Sequence, residues 1–178
     1  IRREDTPKWG LQPFTLGLWV GNKVTPGTTE ESAQAVQSIL DGYQPRRGSP
    51  VQVTSCPWCG GEIQASPRNF VVDQKTKRTS IFCGDPFNDC DFCKEKSKNA
   101  DHPGLPVTVV DEELYHRPPT MMIATVDKFA MMSWRQESRT LFGRAEQSCQ
   151  RHGLLWPGHD CGTGHRSAGR LGSARVTD

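Results

Sequence analysis

Cysteines set in short hooks constrain this chain more than any other feature. Cys56-Pro57-Trp58-Cys59 is followed at once by Gly60 and Gly61, and Cys83, Cys90 and Cys93 arrive about two dozen residues later. A Cys-x-x-Cys turn aims two sulfurs at one point, and the glycine after it lets backbone N–H groups face the thiolates. Two such hooks can close a tetrahedral zinc site. The residues between them predict short strands at 62–65, 69–73 and 78–82, the layout of a zinc ribbon. Cys56 and Cys59 are the firmest ligands. The other two come from Cys83, Cys90 and Cys93, and spacing alone makes Cys90 and Cys93 the better hook. Four thiolates would leave no open position for water, so such a zinc is structural.

The chain outside the hooks is thin in core-forming residues. It has 178 residues, 34% of them hydrophobic, with 17 Gly and 13 Pro. The net charge of +2 is close to neutral and makes no case for nucleic acid by itself. Seven cysteines in metal-type spacings favour a reducing cytoplasm over a disulfide framework. No apolar run approaches the ~20 residues of a membrane span. The chain opens on Ile1 and ends on Asp178 without a closing element, which reads as a piece of a longer protein.

Periodicity predicts strands alternating with helices. Residues 14–20 form an apolar strand buried on both faces, and 28–43 a helix. Thr28 with Glu31 fits a capping box there, and Ala33, Val36, Ile39 and Leu40 make its apolar stripe. Strands at 105–110 and 121–126, a helical turn at 111–115 and a helix at 127–134 follow, the last with Phe129, Ala130 and Met132 on its apolar side. That alternation gives an α/β layer domain with a parallel sheet, interrupted by the cysteine module. The expected divisions are 1–54 and 99–142 for the core, 55–98 for the insertion and 143–178 for a Gly-rich tail without periodicity. The tail carries Cys149-x-x-His152, then Cys161 and His165, a candidate Cys₂His₂ zinc set that would order a segment lacking a core.

Two further motifs concern phosphate. Val110-Asp111-Glu112-Glu113 resembles a magnesium-binding acidic box, but no Gly-x-x-x-x-Gly-Lys-Ser/Thr loop precedes it. A solvated helix start is the expectation instead. At residues 123–130 an apolar strand runs through Thr125-Val126-Asp127-Lys128 into a helix. Thr125 can expose its hydroxyl at the strand's C-terminal end, where open α/β sheets bind ligands. The opening N–H groups of the helix and the charge of Lys128 can meet a phosphate there. The competing reading is an ordinary helix cap by Thr125 or Asp127.

Taken together, several strings carry a resemblance. Phe14-Thr-Leu-Gly-Leu-Trp-Val-Gly21, Cys56-Pro-Trp-Cys-Gly60, Val110-Asp-Glu-Glu-Leu-Tyr115, Pro119-Thr-Met-Met-Ile-Ala-Thr-Val-Asp-Lys-Phe-Ala130, Leu141-Phe-Gly143 and Cys149-x-x-His-Gly153 occur in this order. The chain resembles the superfamily 2 helicases of bacterial DISARM anti-phage systems over nearly its whole length. The resemblance implies a partial RecA-like parallel-sheet domain with a zinc-ribbon-like insertion, lying between the phosphate loop and the Asp-Glu box. It implies Cys83 and Cys90 as the remaining zinc ligands, with Cys93 outside. Thr125, Val126 and Asp127 match a motif touching the nucleic-acid backbone, with Lys128 beside it. DNA or RNA and other defence subunits become the expected partners. ATP and Mg2+ are expected only in the parent protein, since this sequence lacks the ATPase motifs. The alternative from another class is a stand-alone zinc-ribbon module binding nucleic acid or protein.

Overall fold

The computed structural model describes residues 13–97, 102–145, 147–159 and 161, together with the backbone of 167–170. Strand β1, Leu16–Trp19, lies at the centre of a three-stranded parallel sheet. It pairs with β4, Val107–Thr108, on one side and with β5, Met121–Ala124, on the other. Gly17 and Trp19 point to one face of the sheet and are buried, whereas Leu16 and Leu18 on the other are half-buried. A Cβ at Gly17 would come within 2.5 Å of Pro119 Cγ and 2.6 Å of Leu114 Cδ2. Only glycine allows that approach without displacing the side chains packed on the strand.

Helix α1, Thr29–Leu40, begins where the capping residues predict. Glu31 N–H donates to Thr28 Oγ1 at 3.1 Å, while the Glu31 carboxylate accepts from Gly27 N at 2.9 Å. The return bond of the capping box thus reaches one residue further back than expected. The buried face is also rotated from the expected stripe. It consists of Thr29, Ser32, Ala35 and Val36, and Leu40 is exposed. The reason is polar: Ser32 and Thr79 share a hydroxyl hydrogen bond of 3.0 Å, which turns the small-residue face toward the insertion.

Within the insertion, β2 (Phe70–Asp73) and β3 (Arg78–Ile81) form an antiparallel hairpin. The strand expected at 62–65 is reduced to a single bridge between Ser55 and Glu62. Helix α2 is one turn, Lys94–Ser97. The insertion does not own a separate core. Cys56, Ile63, Phe70, Ile81, Cys83, Cys90 and Cys93 share one buried cluster with Val36, Leu105, Val109 and Val110.

After β4, only two residues long against the six expected, the chain turns into α3, Asp111–His116. The expectation of a solvated helix start is corrected here. Asp111 and Glu113 are buried, and each carboxylate has a basic partner: Lys128 for Asp111, Arg78 for Glu113. Leu114 and Tyr115 of α3 pack on Trp19, with Trp19 Nε1–H donating to the Tyr115 hydroxyl at 3.2 Å.

The helix expected at 127–134 divides into α4, Val126–Met131, and a 3-10 turn, Met132–Trp134. It buries no residue fully, but Phe129 lies edge-on to the Trp19 ring, with centroids 6.1 Å apart, and Met132 packs against the same cluster. A longer 3-10 stretch, Gln136–Phe142, leads to the tail. There the absence of periodicity hides an antiparallel sheet of β6 (Gln147–Cys149), β7 (Gly153–Leu155) and β8 (Ser167–Arg170). Strands of three or four residues are too short to leave an alternation in sequence. Among the described residues no helix is long and apolar enough to cross a membrane.

Candidate functional site

The first hook folds as a knuckle. Gly60 N–H donates to Cys56 O at 2.8 Å, and Cys56 N–H donates to Gly61 O at 2.7 Å. The turn needs Gly60 at φ 78°, in the left-handed region. Gly61 sits against the sulfurs: a Cβ there would meet Cys83 Sγ at 3.1 Å and Cys59 Sγ at 3.3 Å. Its N–H points at Cys59 Sγ at 3.4 Å, and Asp85 N–H points at Cys83 Sγ at the same distance.

Four sulfurs converge, those of Cys56, Cys59, Cys83 and Cys90, all within 4.8 Å of one another. Cys56 and Cys90 are 3.9 Å apart, Cys59 and Cys83 3.4 Å. A tetrahedral zinc with Zn–S near 2.3 Å asks for sulfurs ~3.8 Å apart, so these separations suit the ion. The Gly61 N–H lowers the Cys59 thiol below its ordinary value. Burial pushes Cys90 up to about 11, and Cys83 is raised for the same reason. A bound cation would lower all of these thiols, because it binds the deprotonated sulfurs. Of the three later cysteines, the structure gathers Cys83 and Cys90, the pair the resemblance implies, and not Cys90 and Cys93, the pair spacing favours.

Cys93 is fully buried but outside the group. Its carbonyl accepts from Ser97 N–H at 3.0 Å and Ser97 Oγ–H at 2.8 Å, which fixes it as the start of α2. It fills core volume as a small apolar side chain.

The tail brings together Cys149, His152 and Cys161, with ligand atoms again within 4.8 Å. Burial works against ionising Cys149, but the N–H groups of His152 and Arg151, with the Cys161 thiol, outweigh it and lower its pKa. His165, the fourth expected ligand, lies outside the described residues.

Thr125 is exposed at the C-terminal end of β5, and its N–H extends the ladder to Trp19 O at 3.3 Å. It is the residue preceding α4, yet its hydroxyl makes no capping bond. Asp127 is exposed in the first turn. Lys128 differs from the expectation of an available cation. It is ion-paired with Asp111, donates to Asn22 Oδ1 at 3.1 Å and lies 5.8 Å over the Trp19 ring. Reasoning from sequence missed this pairing, for which the apolar run ahead of Asp111 was the available signal: an acid entering from a buried strand needs a partner. Glu112 is likewise committed, accepting from Thr29 N at 2.9 Å and Thr29 Oγ1 at 2.8 Å. The three acids therefore brace neighbouring elements.

No family model matches the chain. It is 32% identical over 173 residues to DISARM protein DrmA of Bacillus paralicheniformis, an alignment covering 93% of this chain. The chain spans 14% of that protein's length. This similarity supports a DISARM-system protein, of which the chain matches one segment.

Proposed function

We propose that the chain is the strand-contacting segment of an ATP-dependent superfamily 2 helicase or translocase acting in anti-phage defence. One observation carries the strand contact. Thr125 ends a strand of a parallel sheet with its hydroxyl exposed and unused as a cap. A hydroxyl and the opening N–H groups of the next helical turn can donate to a backbone phosphate without reading sequence. The similarity to DISARM protein DrmA supports the defence role and, with it, other defence subunits as partners. DNA or RNA as the bound strand rests on the Thr125 site and the motif resemblance. The partial RecA-like assignment rests on the parallel β4–β1–β5 order and on the resemblance of the motifs.

In this reading Lys128 positions the β5–α4 turn through Asp111, and Thr125 and Asp127 face the strand. The Cys56, Cys59, Cys83 and Cys90 set holds a structural zinc. ATP and Mg2+ are bound by motifs of the larger protein, because this sequence has no phosphate loop.

The test is DNA binding by the full-length protein, measured by anisotropy across salt concentrations. Thr125→Ala should weaken binding to all sequences alike and flatten the salt slope by about one phosphate contact. Thr125→Ser should restore both. Affinity and slope unchanged in Thr125→Ala, with folding intact, would overturn the contact.

A further inference from the structure

The tail is anchored to the tip of the β2–β3 hairpin, and the anchor passes through a candidate ligand. His152 Nε2 lies 3.0 Å from the carbonyl oxygen of Lys75, in the hairpin turn. A carbonyl can only accept, so Nε2 carries the proton. In a neutral ring that assignment leaves the lone pair on Nδ1. Metal-binding imidazoles are commonly fixed in this way, with one nitrogen donating to a carbonyl and the other ligating. Arg117 ties the same two segments, donating to Thr76 O at 3.0 Å and to Arg151 O at 2.7 Å.

The tail's own construction suits such an anchor. Cys149 ends β6 and is buried, and Gly153 opens β7 at φ 103°. A Cβ at Gly153 would stand 2.3 Å from His116 O, so the turn is pressed directly onto the end of α3. Leu155 is the tail's buried aliphatic anchor among the described residues. Three donors from a turn and a following loop converge there, three of the four positions a structural zinc takes.

We propose a second, structural zinc bound by Cys149, Cys161 and His152 through Nδ1, which clamps the tail sheet to the hairpin of the first cysteine module. The proposal does not depend on the strand-contact reading. A zinc centre with two thiolates is chemically distinct from the four-thiolate centre, so the two can be counted separately.

The experiment is metal counting on this chain as purified from cells, by native mass spectrometry and atomic emission. The wild type should carry two zinc ions, and Cys161→Ser and Cys56→Ser one each. Cys161 is only partly buried, so its substitution is the milder one. A measurement on the unaltered chain guards against misfolded variants. Cobalt replacing zinc should show thiolate charge-transfer absorption that drops by about one third in Cys161→Ser, as two of six ligating thiolates are lost. Hydrogen exchange should show residues 147–155 losing protection in Cys161→Ser while 70–73 keep theirs. One zinc in the wild type, two retained in Cys161→Ser, or a Cys149–Cys161 disulfide in freshly purified reduced protein would each overturn the proposal.

Discussion

Glu113 should make this protein less stable as pH rises from 5 to 8, against the usual trend for a carboxylate with basic neighbours. Its side chain is 3% exposed. It accepts Thr79 N–H at 2.9 Å and lies 3.6 Å from Arg78 Nε. Burial dominates those contacts and raises the carboxyl from 4.5 to about 7. The sign follows from proton occupancy. Below the unfolded value of 4.5 both states hold the proton. Between 4.5 and about 7 the folded state keeps it while the unfolded chain releases it, so stability falls with pH. Above that, both are ionised and the curve flattens. The full loss is roughly 3 kcal/mol, most of it between pH 5 and 7. Glu113→Gln keeps an acceptor for Thr79 and cannot ionise. Urea unfolding of both proteins at pH 5, 6, 7 and 8, with zinc present, isolates this contribution, since other groups cancel in the difference. The Gln variant should gain on the wild type from pH 5 to about 7 and then level off. A constant difference would refute the reasoning. A constant difference is also what a folded carboxylate held ionised throughout by Arg78 and Arg117 would give, since both states would then be deprotonated above pH 5.

Further outcomes follow from single contacts. Cys83→Ser should remove one zinc equivalent, whereas Cys93→Ser should keep the metal and lose about 1–3 kcal/mol in a urea melt, because a hydroxyl replaces a fully buried thiol. Gly17→Ala should cost about 1–3 kcal/mol through overlap with Leu114 and Pro119, read by the same melt. Glu112→Ala should remove both bonds to Thr29 and cost about 1 kcal/mol, seen as faster amide exchange in the first turn of α1. Calorimetric titration of this chain with ATP should show no magnesium-dependent binding, and a micromolar dissociation constant would revive Asp111 and Glu112 as metal-binding acids.

Local chemistry was the part of the structure legible in the sequence. The Thr28 cap, the Cys56 knuckle with its two glycines, and the three segments of the parallel sheet each depend on residues near one another in the chain. What stayed hidden depends on partners far away. The buried face of α1 was misplaced because a serine facing Thr79, 47 residues on, outweighs a leucine at the helix end. Asp111, Glu112 and Glu113 read as a solvated turn because their partners Lys128, Thr29 and Arg78 are set by tertiary packing. The choice among Cys83, Cys90 and Cys93 is similar. Adjacent spacing favours the last two, but the Ser97 bonds to the Cys93 carbonyl commit that residue to starting a helix.

Those acids also connect the two cysteine centres. Glu113 holds Thr79 on β3, and Glu112 holds the start of α1, which itself packs on the hairpin through Ser32. Arg117, one residue past the end of α3, reaches both the hairpin turn at Thr76 and the tail turn at Arg151. Asp111 at the other end of α3 holds Lys128, and with it the turn that presents Thr125. The six-residue helix and the arginine that follows it thus join the hairpin, the tail and the strand-end site through Glu113, Arg117 and Asp111. Short helices gain little from their own hydrogen bonds, so α3 is fixed chiefly by what it touches. A metal that tightens the hairpin or the tail therefore acts on α3 through Glu113 and Arg117, and on Thr125 through Asp111. A metal held at either cysteine group would bear on how firmly the candidate contact is held.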